Sequence, residues 1–220
     1  MKCLLCAKSL QTEISFTNLL CFKKEEEIVC ESCISSFETI GGNHCPSCFK
    51  KGVSIICQDC QFWCKKGVKV DHAALYSYNQ AMKEYFSRYK FDGDYLLRKV
   101  FSDILQKELK KYKNYQIVIV PLSDQRLKSR GFNQVEGLMK ETGLTYLDIL
   151  VKKEVEASSS KNRSDRLLAE FPFLLKDGVK LPENILLFDD IYTTGTTLNR
   201  LKSMFLEAGC QNIKTFSLAR

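Results

Sequence analysis

The sequence lacks any apolar run long enough to cross a membrane: its longest, "QIVIVPL", falls far short of the roughly 18 residues such a helix needs. The N-terminus, "MKCLLCAKSL", lacks the apolar stretch and small-residue cleavage site of a secretory signal. A cytoplasmic protein with no membrane insertion is therefore expected. Histidine is scarce as well. The two histidines, His44 and His72, stand beside the cysteine pairs and just before a strand-like segment, and neither completes a Ser/His/Asp or Cys/His set. Chemistry that needs a fixed nucleophile and an imidazole base has no visible place here. Beyond position 64 the chain holds a single cysteine, Cys210.

Cysteine is abundant only near the start, where ten of the eleven lie within 64 residues. Eight of these fall in Cys-x-x-Cys pairs: Cys3 and Cys6, Cys30 and Cys33, Cys45 and Cys48, Cys57 and Cys60. Two intervening residues let both thiolates of a pair turn toward one cation, and two such knuckles complete a tetrahedron around zinc. Eight thiolates make two structural Zn2+ sites with no open position for catalysis. Sequential pairing of the knuckles closes shorter loops than interleaved pairing and is preferred on that ground. Disulfides are the alternative, but they need an oxidising compartment that nothing in the sequence indicates. Cys21 and Cys64 are left over. Such a module has too little apolar core to fold without metal, and it is expected to span residues 1–69. Lys50, Lys51, Lys65, Lys66 and Lys69, with Phe62 and Trp63, form either a nucleic-acid surface or, preferred for the aromatics, a docking face. The net charge of +7 permits a polyanionic partner without demanding one.

From about Val70 the composition changes, and strand-like and helix-like segments alternate. "AALYSY" reads as a strand. "NQAMKEYFSRYKF" places Met82, Tyr85, Phe86 and Tyr89 at helical spacing and ends at Gly93. "DYLLRKVFSDILQKELKKY" repeats the helical pattern, with Asp94 as its cap. "YQIVIV", stopped by Pro121, is a short continuous apolar strand of the kind buried on both faces. A polar loop, a helix at "NQVEGLMKETG" with Asn133 as a cap, and a strand near "YLDILV" follow. "EASSSKNRSDR" reads as a polar loop. "ILLFDD" is a second buried strand, "TTLNRLKSMFLEAG" a helix, and "IKTFSLA" a last strand. The alternation predicts an α/β domain over 70–220 with a mostly parallel sheet flanked by helices.

The stretch "ILLFDDIYTTGTTL" ends a buried strand on Asp189 and Asp190. Ligands of such sheets bind beyond the carboxyl ends of the strands. Adjacent carboxylates repel, and one pKa rises, unless something polar or cationic lies between them. The hydroxyls of a sugar diol, with or without magnesium, satisfy that need. Thr193, Thr194, Gly195, Thr196 and Thr197 then turn into a helix, whose first amides and dipole favour an anion. Gly195 lets the main chain approach closely. The pattern suits a ribose 5-phosphate; ordinary helix capping would explain one aspartate and one threonine but not the rest. Arg126, Lys128 and Arg130 follow the strand ending at Val120, along the same edge. They suit diphosphate or nucleic-acid phosphate, the alternative being a solvated loop. Lys161, Arg163 and Arg166 lie in the serine-rich loop and either close on phosphate or belong to a linker. Lys83 and Lys90 share a helix face and either flank the site or are solvated.

"ILLFDDIYTTGTTL" resembles the phosphoribosyl-pyrophosphate (PRPP) motif of type I phosphoribosyltransferases. That resemblance implies that Asp189 and Asp190 hold the ribose hydroxyls of PRPP with Mg2+, while residues 193–197 hold its 5-phosphate. It also implies pyrophosphate binding in the loop of Arg126 and Arg130, and closure of the serine-rich loop. "VPLSDQRLKSRGFNQ", "YKFDGD", "SDRL" and the cysteine pairs together resemble the ComF family. That family joins a cysteine-rich module to a type I phosphoribosyltransferase-like domain. The resemblance implies a role in DNA uptake and natural transformation, with single-stranded DNA and PRPP or a related nucleotide as ligands. It implies a competence helicase (ComFA-like) and other DNA-uptake proteins as partners. The alternative is an active, magnesium-dependent phosphoribosyltransferase with a nucleobase or amine acceptor. No nucleobase-specific hood is legible for it.

Overall fold

The two continuous apolar runs of the sequence lie side by side as neighbouring parallel strands of one sheet. The computed structural model of the chain describes residues 1–10, 28–153 and 171–220. Its main strands are β1 (His72–Tyr76), β2 (Gln116–Ile119), β5 (Asn184–Ile191) and β6 (Asn212–Ala219), with β3 (Leu150–Lys152) and β4 (Phe173–Leu175) apart. The sheet order is β1-β6-β5-β2, and every pairing in it is parallel. A parallel strand covered on both faces needs apolar residues at successive positions, and Ile185 to Phe188 are each 0% exposed.

The period of two along a strand divides these residues between two cores. Leu186 and Phe188 join Phe216 and Leu218 on one face, under α3 (Gln80–Lys90), α4 (Ser102–Leu109) and α6 (Gln134–Thr142). Ile185 and Leu187 face the other way, toward α7 (Thr196–Glu207) and toward the second cysteine tetrad. Among the described residues, the first part of the chain contributes two short helices, α1 (Glu31–Ile34) and α2 (Gln58–Lys65). It nonetheless reaches both cores, through Phe37 on one face and Trp63 on the other.

Four expectations need correction. "DYLLRKVFSDILQKELKKY" is not one helix: a 3₁₀ turn over Tyr95–Lys99 precedes α4. Asp94 makes no side-chain cap bond, because Arg88 takes its carboxylate at 2.7 Å. The expected polar loop after Pro121 is instead α5 (Asp124–Arg130), closed by Gly131 in the left-handed region at φ 82°. The strand near "YLDILV" shortens to β3, which pairs antiparallel with β4 as a separate ribbon. Lys161, Arg163, Arg166, "SDRL" and Cys21 lie outside the described residues.

Phe101 sits where the helical layer meets the N-terminal part. It is 0% exposed, with ring centroids of Phe37, Tyr76 and Tyr85 at 4.9, 5.1 and 5.0 Å. Truncating it leaves a cavity shared by three elements. Phe101→Ala is expected to lower the unfolding free energy by about 3–5 kcal/mol, read from urea denaturation followed by circular dichroism; a loss below about 1 kcal/mol would show that this contact is not part of the core.

Candidate functional site

β5 carries Asp189 and Asp190 to the carboxyl edge of the sheet, and the strand turns their side chains to opposite faces. Asp190 points under α3, where its Oδ2 meets the Lys90 ammonium. Their side chains are only 7% and 13% exposed. Apart from that ion pair, Oδ2 has no hydrogen-bond partner among the described residues, while Oδ1 accepts from the Ile191 amide at 2.9 Å. Lys90 is placed by its helix: Asn79 caps α3 through the Met82 amide at 3.0 Å, and the ammonium lies 4.3 Å from the Phe86 ring. Burial works against a charge on Asp190, but the adjacent ammonium outweighs it and holds that carboxyl below its usual range. Burial and the Asp190 charge together push the Asp189 carboxyl well above the usual range. The pair thus divides its roles: Asp190 is the buried anion and Asp189 the half-buried group, and both line one cavity.

That cavity measures about 560 Å³. Asp189, Asp190 and Thr197 form one wall. Arg126, Ser129 and Arg130 form another, because spacings of three and four put them on one face of α5. Lys128 falls off that face, is exposed, and does not line the cavity. Arg130 is steadied by Gln134, to whose Oε1 it donates, and by the Phe91 ring, 5.7 Å from its guanidinium carbon. Phe91 is 77% exposed and stands at the rim.

The loop after Asp190 makes a second, smaller recess of about 40 Å³, lined by Asp189 and residues 191–198. Gly195 is the N-cap of α7, with φ 75°. A Cβ there would lie 2.1 Å from the Tyr192 hydroxyl oxygen, so both conformation and space demand glycine. The Thr194 and Thr196 hydroxyls hydrogen-bond at 2.9 Å. The first amides of α7 have no intrahelical acceptor, so they remain available to an anion.

The cysteine pairs group sequentially. Cys3, Cys6, Cys30 and Cys33 bring their sulfurs within 4.8 Å of one another, as do Cys45, Cys48, Cys57 and Cys60. Sulfur separations of 3.5 Å (Cys48 to Cys57) and 3.8 Å (Cys45 to Cys60) are far longer than the roughly 2.05 Å of a disulfide. Backbone amides donate to Cys3 and Cys45, as in metal knuckles. Four convergent thiols without a carboxylate or imidazole fit zinc. The first tetrad is partly exposed, whereas the second is wholly buried. Cys64 is exposed and belongs to neither. Trp63 is 5% exposed, whereas Phe62 stays at the surface under Lys66.

Sequence reasoning missed Phe91, Gln134 and Lys152 as lining residues. Phe91 adjoins Lys90 inside "YKFDGD", a signal within reach. Lys152 was hidden because its ribbon, β3 with β4, forms from two three-residue segments.

A parallel α/β sheet with an acidic strand end, an amide-lined turn and two four-cysteine clusters defines the class. No family model matches the chain. It is 57% identical over 220 residues to Competence protein ComFC of Streptococcus pneumoniae, spanning the whole of both chains. It is 34% identical over 227 residues to Competence protein ComFC of Bacillus subtilis, covering 99% of this chain and 94% of that one. Competence protein F of Haemophilus influenzae is 25% identical over 160 residues, covering 65% and 69%. The chain belongs to the ComF family.

Lys90→Met leaves Asp190 buried without its cation. At pH 7 the unfolding free energy is expected to fall by about 3 kcal/mol. Lys90 depresses the folded-state pKa of Asp190, so its contribution is present above the ordinary carboxylate value of about 4 and lost as pH falls through the depressed one. Urea unfolding between pH 7 and pH 3 should therefore show the gap between variant and wild type narrowing; a gap constant with pH would rule the ion pair out as its source.

Proposed function

We propose that this protein binds PRPP, or a nucleotide of the same phosphoribosyl chemistry, with Mg2+ at the end of β5, and that it binds single-stranded DNA in the service of natural transformation. The observation that carries the reading is that one cavity of about 560 Å³ joins Asp189 and Asp190 to Arg126 and Arg130, beside an amide-lined recess. Asp189 and Asp190 accept hydrogen bonds from the ribose 2- and 3-hydroxyls. Residues 193–197 receive the 5-phosphate on backbone amides and threonine hydroxyls. Arg126 and Arg130 take the diphosphate in the bidentate geometry of guanidinium. Magnesium, when bound, screens the charge of the diphosphate. Phe91 at the rim, with Arg130 beside it, offers a stacking face for a base. The names of the relatives support a part in competence. A cytoplasmic place, a competence helicase (ComFA-like) and other DNA-uptake proteins as partners complete the reading.

A second reading, phosphoribosyl transfer to a nucleobase or amine, is favoured by a neighbouring cavity of about 240 Å³. It shares Pro121, Leu122 and Lys152 with the first and gives an acceptor room beside the sugar. The Asp190 carboxylate, held ionised by Lys90, stabilises the developing positive charge of an oxocarbenium-like state, and no fixed nucleophile is needed. Pyrophosphate release from PRPP across a panel of acceptors tests this reading, and no turnover with any of them would leave a binding site alone.

Asp189→Asn keeps the shape of the side chain and removes the acceptor charge. PRPP affinity with magnesium is expected to fall at least about tenfold, the effect of one charge-assisted hydrogen bond. Titration calorimetry measures it, and wild-type protein giving no heat with PRPP would remove the pocket reading altogether. Binding of single-stranded oligonucleotides should weaken linearly in log affinity against log salt, because phosphate contacts release counterions. Fluorescence anisotropy between 50 and 200 mM salt gives the slope; a flat response would refute the nucleic-acid role.

A further inference from the structure

We infer that the second cysteine tetrad is a working part of the phosphate loop, with Trp63 and Arg220 as positioning residues that couple metal at Cys45, Cys48, Cys57 and Cys60 to phosphoribosyl affinity. The inference rests on the loop reading proposed above. Three consecutive loop carbonyls are held from the tetrad side. The Trp63 indole donates to the Thr194 carbonyl at 3.0 Å. One nitrogen of the Arg220 guanidinium donates to the Thr193 carbonyl at 2.5 Å and to the Tyr192 carbonyl at 3.5 Å. A trans peptide sets its N–H opposite its C=O. Anchoring these carbonyls therefore turns the amides of Thr193, Thr194 and Gly195 to the opposite side of the loop. The amides that would meet a phosphate are aimed by contacts made behind them.

Both anchors depend on the tetrad. Cys57 is the N-cap of α2 and Cys60 lies in its first turn, one turn before Trp63. A helix of eight residues has little stability of its own, so metal on those thiolates fixes the segment that carries the indole. Arg220, whose side chain is 8% exposed, uses its other nitrogen on Cys48 Sγ at 3.4 Å and Asp59 Oδ2 at 3.5 Å. A metal-bound cysteine is a thiolate and a stronger acceptor than a thiol. One guanidinium therefore spans metal ligand and loop. The Tyr192 ring, between Arg220 at 4.8 Å and His72 at 4.0 Å, fills the space beneath Gly195. The first tetrad meets a different element: Arg88 of α3 donates to the Leu4 and Leu5 carbonyls.

Linkage requires reciprocity: if metal tightens the loop around a phosphate ester, the ester tightens the metal. Trp63→Phe removes the indole N–H with its five-membered ring while keeping an aromatic in the core, and Arg220→Met removes the bridge. Four measurements on the full chain decide the matter: zinc content, hydrogen–deuterium exchange of residues 193–197, calorimetry with PRPP and magnesium, and the rate of zinc loss to a chelator. The expected result is full zinc, faster loop exchange and an affinity lower by roughly tenfold, the worth of one lost hydrogen bond. In wild type, PRPP is expected to slow zinc loss from the second tetrad to a chromogenic chelator, and in both variants that protection disappears. Variants with full zinc, wild-type exchange and wild-type affinity overturn the coupling. If Arg220→Met loses its metal, Trp63→Phe decides alone. If wild type binds no PRPP, the pocket reading fails by itself. Loop exchange then still discriminates: faster in the variants upholds the anchoring of the loop by Trp63 and Arg220, and unchanged sinks it.

Discussion

The contact on which the site depends is a carboxylate pressed against an ammonium under α3. Neither Asp190 nor Lys90 has the water that would ordinarily solvate its charge, since their side chains are 7% and 13% exposed. Removing two charges from water costs several kcal/mol per ion, and only close pairing offsets it. The rest of the wall must therefore be built to keep them together. Tyr85, Phe86 and Tyr89, all buried, fasten α3 to the sheet so that Lys90, at its last residue, reaches β5. With Asp190 ionised, its neighbour cannot readily ionise as well. That leaves Asp189 the weaker acid of the two, its carboxyl pushed up by burial and by the Asp190 charge.

The cavity and the recess are shaped by different parts of the chain. Arg126 and Arg130 come from a short helix that begins directly after β2, and their spacing alone brings both to the wall. The recess is a backbone feature, made by Gly195 and the turn into α7. Side chains can drift among rotamers, but a loop of amides works only if its peptide planes are fixed. That difference explains why the acidic wall is secured by an ion pair and the recess by hydrogen bonds to carbonyls.

Much of this was legible in the residues. Continuous apolar runs announced β2 and β5, and helical spacing announced α3, α6 and α7, because burial on both faces or on one stripe leaves a direct pattern. The cysteine pairs and the acidic strand end were equally plain, since chemistry fixes their spacing. What was not legible depends on partners far along the chain. Asp94 looked like a cap until Arg88 claimed it. "SDQRLKSR" has a single apolar residue, Leu127, and signals neither core face nor strand, yet Asp124–Arg130 is helical. β3 and β4 are three residues each and stabilise one another, so neither stands out alone. Lys152, and with it part of the wall shared by both cavities, was hidden for the same reason.

The change in composition near Val70 marks where cysteines give way to alternating strands and helices, but apolar contact runs straight across it. The four cysteines of the second tetrad share a core with Val118, Ile185, Leu187 and Leu198. Phe37 closes the other core against Tyr76, Tyr85 and Phe101. Any change in a tetrad buried in this way disturbs the strands it packs on, because close-packed interiors transmit local change. A change in a tetrad at the periphery need not. The two clusters, alike in residues, therefore differ in what they touch: the partly exposed one lies where Arg88 fastens the chain's beginning to α3, and the buried one reaches the turn at the end of β5.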